Sequence, residues 1–287
     1  MEAKTTQSEF RRILRVWMSR KVVAVGTVII LILIFAALLA PWLAPCDPYK
    51  PNLRETLRAP SWAHPLGTDA LGRDLLSRII YGSRTSLQVG LIAVGLAAVT
   101  GMFLGLLAGY FGGWTERIIM RFIDAQMAFP PIVLALSLAF VLGGGLFNCM
   151  VAVGVAMTPS YVRLTRGQVL TVKEMDYIIA ARIIGSSDRR ILFYHILHNV
   201  FPPLMILMTI NLGSAILAEA SLSFLGVGIK PPAAAWGSML QEGYQNIFQH
   251  PYMSFAPGFC ILLVVLSFNL MGDGLRDALD PRLRGVL

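Results

Sequence analysis

Charge is what this sequence has least of. Of its 287 residues only 14% are Asp, Glu, Lys or Arg, while 56% are hydrophobic. A water-soluble domain carries about 25% charged and about 45–50% apolar residues. A soluble globular chain is therefore excluded, and an integral membrane protein remains. Cysteine is scarce as well: Cys46, Cys149 and Cys260 form no C-x-x-C pair, so no disulfide framework or clustered-thiol metal site is implied. Also absent are a G-x-x-x-x-G-K-[ST] phosphate loop, an H-E-x-x-H pair and a G-x-S-x-G elbow, which removes the usual signatures of nucleotide, zinc-protease and serine-hydrolase chemistry. The four histidines, His64, His195, His198 and His250, are dispersed. No metal is assigned; His64 and His250, both in hydrophilic loops, are the pair from which a site would have to be assembled. Enzyme is the poorer reading.

The net charge of +8 is distributed in a telling way. Arg11-Arg12, Arg20-Lys21 and Arg189-Arg190 flank apolar segments, as the positive-inside rule requires, and this placement argues against a nucleic-acid partner. Residues 1–21 are polar and basic, with Phe10, Ile13, Leu14 and Trp17 at helical spacing; they read as an amphipathic stub along the inner membrane surface. The charge-free run 22–40 follows, long enough to span a bilayer. A cleaved signal peptide competes for it, but Pro41-Trp42 closes the run and further spans follow, so it reads as a first transmembrane helix.

Five more spans are expected. Between the first two lies a hydrophilic loop, 46–83, in which Leu75, Leu76, Ile79 and Ile80 share one face of an interfacial helix. The second span, 85–111, carries Gly101, Gly105 and Gly109 every fourth residue, the spacing that lets helix backbones meet in lipid. The third, 117–142, contains Arg121, Asp124 and a kinking Pro130-Pro131 pair. The fourth, 147–161, is interrupted by Gly154 and Pro159, the fifth is 202–224, and the sixth is 255–271. With the N-terminus inside, the inner segments hold seventeen Lys and Arg and the outer ones seven, which places both ends in the cytoplasm. The chain thus divides into 1–84 (stub, first span and outer loop), a five-helix core 85–275 with the polar loop 163–199, and a tail 276–287.

The longest polar interruption of the second half, 176–199, is the stretch the rest is organised around. Asp176 is placed to cap a two-turn helix that Gly185 ends in the left-handed region. Ser186, Ser187 and Asp188 offer the cap of a second helix. Ala180 and Ala181 are small enough to let another protein approach the backbone, so the loop reads as a docking knob on the cytoplasmic side. Tyr177, Arg182 and Asp188 join it from the same reading, against which stands a plainly solvated loop. Inside the spans, Asp124 has Arg121 three residues earlier on its helical face, so a local ion pair is expected. Asn211 and Glu219 lie in the fifth span; Glu219 either lines a path or bonds to a neighbouring helix.

These residues carry a resemblance. Ala180-Ala181 followed by Gly185 resembles the E-A-A-x-x-x-G loop of permease subunits in ATP-binding-cassette importers. Ile179 stands where the family has glutamate, and His198 where it has proline. More specific are H-P-L-G-T-D-x-L-G-R-D-x-x-S-R over 64–78, P-P-x-A-x-W-G-S-M-L over 231–240 and F-N-L-M-G-D-G-L-R-D-A-L-D-P-R over 268–282. Together they resemble the peptide, opine and nickel branch, nearest the dipeptide-type second permease subunit. The resemblance implies an all-α, six-span type I permease in a bacterial inner membrane, surrounded by lipid. It implies a homologous permease partner, two ATP-binding subunits that carry ATP and magnesium in place of any cofactor here, and an external substrate-binding protein. Ala180, Ala181 and Gly185 would carry the coupling to the ATPase, with Asp176 and Ser186 beside them. Read from its own residues rather than from the resemblance, the loop with Pro231, Trp236 and Ser238 would meet the binding protein, against which stands a loop packed on its own outer surface. The cargo is expected to be di- or oligopeptides, with nickel chelate, opine or glutathione as alternatives. An ion-gradient-driven carrier remains the competing class, although no inverted repeat is visible.

Overall fold

The computed structural model describes residues 20–279, so the expected stub with Phe10, Ile13, Leu14 and Trp17, and the tail beyond 279, lie outside the described residues. The described chain is built from α-helices: α1 (Lys21–Leu38), α2 (Leu75–Phe111), α3 (Gly113–Met127), α4 (Pro131–Val141), α5 (Leu146–Val172), α6 (Asp176–Ile183), α7 (Asp188–Phe224), α8 (Trp236–Gln245) and α9 (Tyr252–Leu279). Among the described residues, α1, α2, α7 and α9 are long and apolar enough to cross a membrane, and a fifth crossing results if the bent pair α3–α4 counts as one. With 27 residues, α5 is also long enough to span, but Thr158–Pro159–Ser160–Tyr161 and Arg163 interrupt its apolar run.

Where the expected boundaries fail, packing explains why. The interfacial helix and the second span are one helix, α2, of 37 residues, about 55 Å long, and the division at 84 falls inside it. Within it, Gly82 leaves room for the Trp236 ring, 2.7 Å from where a Cβ would lie. The third span is not a kinked rod. It is two helices meeting at 92°: the first ends at Met127, and Pro130 is the N-cap and Pro131 the first residue of the second, where its missing N–H costs nothing. Conversely, α5 runs unbroken through Gly154 and Pro159, and Gly154 marks close contact with α2 at Ala93 and Leu96. The fifth span begins earlier than expected, because a π-helical turn, Ile191–Ile196, feeds directly into its α-helix.

The centre of the fold is the pairing of α2 with α5. Gly101, Gly105 and Gly109 face Tyr161, Thr165 and Val169, and an added Cβ would stand 2.3, 2.5 and 2.7 Å from the Cβ atoms of those three residues. The glycine stripe is thus an interhelical seam. Around it lies a buried cluster that includes Ala97, Ala152, Tyr161, Val169, Ile191, Ile196 and Leu204, drawn from α2, α5 and α7. A second cluster joins Ile30 of α1, Leu75 of α2, Ile216 of α7, Trp236 and Met239 of α8, and Val264 and Phe268 of α9. The outward face of α1, with Val22, Val25, Ile32 and Phe35, is exposed, as a surface in lipid should be.

Candidate functional site

The loop from 173 to 190 closes one end of the bundle. α6 begins at Asp176 with Met175 as its N-cap, and no side chain caps it; the expected Asp176 cap is not formed, because Asp176 is already the first helical residue. The C-terminal stop is as expected. Gly185 has φ +81°; its N–H donates to the Arg182 carbonyl and the Ser186 N–H to the Ala181 carbonyl, both at 3.0 Å. That pair of bonds is a Schellman closure, which needs the left-handed residue at Gly185. Ser187 precedes the first turn of α7 but offers no side-chain bond to it.

α6 is amphipathic in three dimensions. Ile178 and Ala181 are buried against Val172, Ile191, Leu192 and Ile196. On the other side Tyr177, Ile179 and Ala180 are exposed, and Ile183 and Ile184 are each 80% exposed. Of the two alanines only Ala180 faces outward. Sequence reading missed Ile179, Ile183 and Ile184, since in so apolar a chain exposed isoleucines carry no local mark.

The polar neighbours hold the knob in place. Asn199 donates to the Tyr177 hydroxyl at 3.0 Å, tying α6 to α7. Tyr110, at the end of α2, donates to Asp188 Oδ1 at 2.5 Å, and the Arg182 guanidinium lies 5.5 Å from the centre of the same ring. Lys173 donates to the Gly109 carbonyl at 3.2 Å. So Tyr177, Arg182 and Asp188 fasten the loop to two long helices, and Tyr110, which nothing near it in sequence marks, is the shared anchor.

The intramembrane candidates separate from one another. Asp124 does not pair with Arg121. It accepts from Arg163 of α5 at 2.6 Å, because the crossing of α3 over α5 brings a second cation nearer than the residue one turn away. Glu116 and Arg166 form a parallel ion pair between the same helices, and all four groups except Arg163 line one open crevice with Arg117 and Arg121. Asn211 donates to the Tyr161 hydroxyl at 3.0 Å, linking α7 to α5. Glu219 is fully buried. It accepts from Ser223 Oγ at 2.6 Å, and Ser223 in turn accepts from the Ile229 N–H at 2.9 Å. Glu219 thus reaches its own helix and, through Ser223, the following loop.

At the opposite end of α2, loop 46–74 and α8 lock together through charge. Asp69 accepts from Arg73 Nε at 2.6 Å, and Arg73 Nη2 reaches Glu242 of α8 at 3.2 Å. Arg78, almost wholly buried, lies 3.3 Å from the same Asp69 carboxylate. Burial, then the nearby Asp69, raises the Glu242 carboxyl above its ordinary value. Trp236 is 0% exposed and donates its indole N–H to the Ile79 carbonyl at 3.0 Å. It is therefore a core residue of this lock, corrected from an interface or binding-protein contact, since a buried indole needs an acceptor and α2 supplies one. Pro231 is exposed and Ser238 half-buried; both line a cavity with Arg73, Arg78, Lys230 and Glu242.

Comparison with known proteins agrees with this geometry. Residues 101–285 match the family described as binding-protein-dependent transport system inner membrane component. Residues 8–60 match the N-terminal TM domain of oligopeptide transport permease C. The dipeptide transport system permease protein DppC of Alkalihalophilus pseudofirmus is 42% identical over 98% of this chain and 92% of its own length. The di/tripeptide permease of Pseudomonas aeruginosa is 44% identical over 91% of this chain and 88% of its own. The glutathione permease GsiD of Pectobacterium atrosepticum is 42% identical over 98% and 94%. Among solved structures, the inward-facing MetNI methionine ABC transporter superposes with a TM-score of 0.58 at 19% identity, covering 72% of this chain and 98% of that one, which establishes the type I permease fold. The chain belongs to the family of inner-membrane components of binding-protein-dependent transport systems, and it is a permease subunit of an ATP-binding-cassette importer.

Proposed function

We propose that this chain forms half of the translocation path for di- or oligopeptides and receives the ATPase stroke through α6. The observation that carries the coupling role is the exposed apolar surface of Ile179, Ile183 and Ile184 on a rigidly closed helix. Such a patch at the tip of a membrane bundle fits a protein groove better than water. α6 is seated on α7 and α2 rather than hanging free, so a push on it is passed to two long helices. ATP and magnesium belong to the two partner ATP-binding subunits, the second wall of the path to a homologous permease, and delivery to an external binding protein. The α6 end faces the cytoplasm by the charge distribution. Peptide cargo is supported by the names of relatives above 40% identity over most of the chain; glutathione, itself a short peptide, is the second reading because a relative at 42% carries that name.

The test is reconstitution. The tagged chain, copurified with its genomic neighbours and placed in proteoliposomes with ATP inside, is expected to accumulate labelled dipeptide only when ATP and binding protein are both present. Uptake without ATP, or by a homodimer of this chain, would sink the reading. Competition between labelled dipeptide and glutathione separates the two cargoes.

A further inference from the structure

The loop at the end of the bundle opposite α6 brings together three side chains of metal-ligand type. Cys46 Sγ, a ring nitrogen of His64 and a carboxylate oxygen of Asp74 all lie within 4.8 Å of one another. They come from three separate points of the loop, which is why their spacing in sequence shows nothing. We propose that Cys46, His64 and Asp74 form a binding site for one divalent transition-metal ion of the zinc type.

The donor set is one thiol, one imidazole and one carboxylate, the combination that borderline-soft zinc accepts and that magnesium or calcium does not favour. Ser77 ties Asp74 to the backbone of Cys46, and Asp74 in turn faces His64. The Ser77 N–H and Oγ–H donate to Asp74 Oδ2 at 2.7 and 2.6 Å, which leaves Asp74 Oδ1 to face His64 Nδ1 at 2.9 Å. The same Ser77 Oγ accepts the Cys46 backbone N–H at 3.0 Å. The far ring nitrogen, Nε2, lies 3.4 Å from Glu55 Oε2. A carboxylate behind the imidazole is the arrangement that orients metal-binding histidines.

Zinc ligands at their usual bond lengths stand about 3.3–3.8 Å apart, so the His64–Asp74 pair at 2.9 Å opens slightly around an ion and the wider separations close by about 1 Å at most; Cys46 is exposed. The crevice that holds the group is open and also lined by Asp47, Lys50 and Glu55.

The experiment uses the full chain copurified with its partners in nanodiscs and stripped of metal. Titration with Zn2+ is expected to give one ion per copy of this chain. Titration with Co2+ as a spectroscopic probe is expected to give a sulfur-to-cobalt charge-transfer band in the near ultraviolet. Cys46→Ser should abolish the band and weaken zinc at least tenfold, while Cys260→Ser changes neither. Glu55→Gln should weaken zinc by about tenfold, because the imidazole loses its orienting partner. Cys46 is exposed, so its serine variant folds even if a His64 variant does not. A missing cobalt band, or zinc affinity equal in the parent and in Cys46→Ser, overturns the proposal.

Discussion

Tyr110 donates its phenolic hydrogen to Asp188 across 2.5 Å, joining the last turn of α2 to the first turn of α7 on the two sides of α6. The same ring lies under the Arg182 guanidinium at 5.5 Å. One side chain at the end of the glycine seam thereby sets where α6 stands. Tyr110→Phe keeps the ring and removes the bond, and should cost about 1 kcal/mol of stability. Transport per ATP hydrolysed should fall, and fall further in Tyr110→Leu, which also removes the cation–π contact. A ratio unchanged in both variants would show that the seating of α6 does not govern coupling.

Gly185 tests the closure itself. No atom lies within 4 Å of an added Cβ there, so any effect of substitution comes from the backbone at φ +81° alone. Gly185→Val should cost at least about 1–2 kcal/mol locally and lower uptake with ATP hydrolysis retained. Gly185→Asn should stay near parental, since asparagine tolerates the left-handed region. Equal uptake in the valine variant would remove the bend from the coupling argument.

The seam between α2 and α5 makes a prediction about stability rather than coupling. In Gly105→Val the Cβ would stand 2.5 Å from Thr165 Cβ, and overpacking of this kind costs about 1–3 kcal/mol. Gly95→Ala, on the same helix with open space around it, should leave the thermal midpoint in detergent within error of the parent. Comparable losses in both variants would mean that glycine content rather than the seam matters.

Glu242 gives a pH dependence with a definite sign. Its carboxyl is raised above the ordinary 4.5 by burial first and Asp69 second, with Arg73 and Arg78 opposing. A carboxyl whose folded value exceeds its unfolded one binds its proton more tightly when folded. Its contribution is therefore full below pH 4.5 and is lost as pH rises through the raised folded value. Thermal unfolding of the parent should lose ground to Glu242→Gln as pH rises from 4.5. Parallel curves for the two proteins would contradict it.

Much of the fold was legible because membrane helices announce themselves. The runs that became α1, α7 and α9 needed only length and apolarity, and Gly185 ended its helix where glycine was free to. Local breakers misled where their reason was tertiary. Gly154 is small for α2, yet it looked like an interruption. Trp236 looked like an interfacial aromatic because nothing near it in sequence shows the Ile79 carbonyl that receives its N–H.

What the sequence determined by itself is therefore what depends on period, composition and single-residue stereochemistry. That covers an all-helical membrane chain, the polar loop at 176–199, its left-handed stop and the family motifs. The tertiary structure decided the partners. Asp124 met Arg163 rather than Arg121, Ala181 turned inward while Ile183 and Ile184 turned out, and Cys46, His64 and Asp74 came together across 28 positions of chain from first to last. Which of several equally charged or equally apolar residues lies within reach is fixed by how helices cross, and helix crossing is a property of surfaces that meet only in the folded chain.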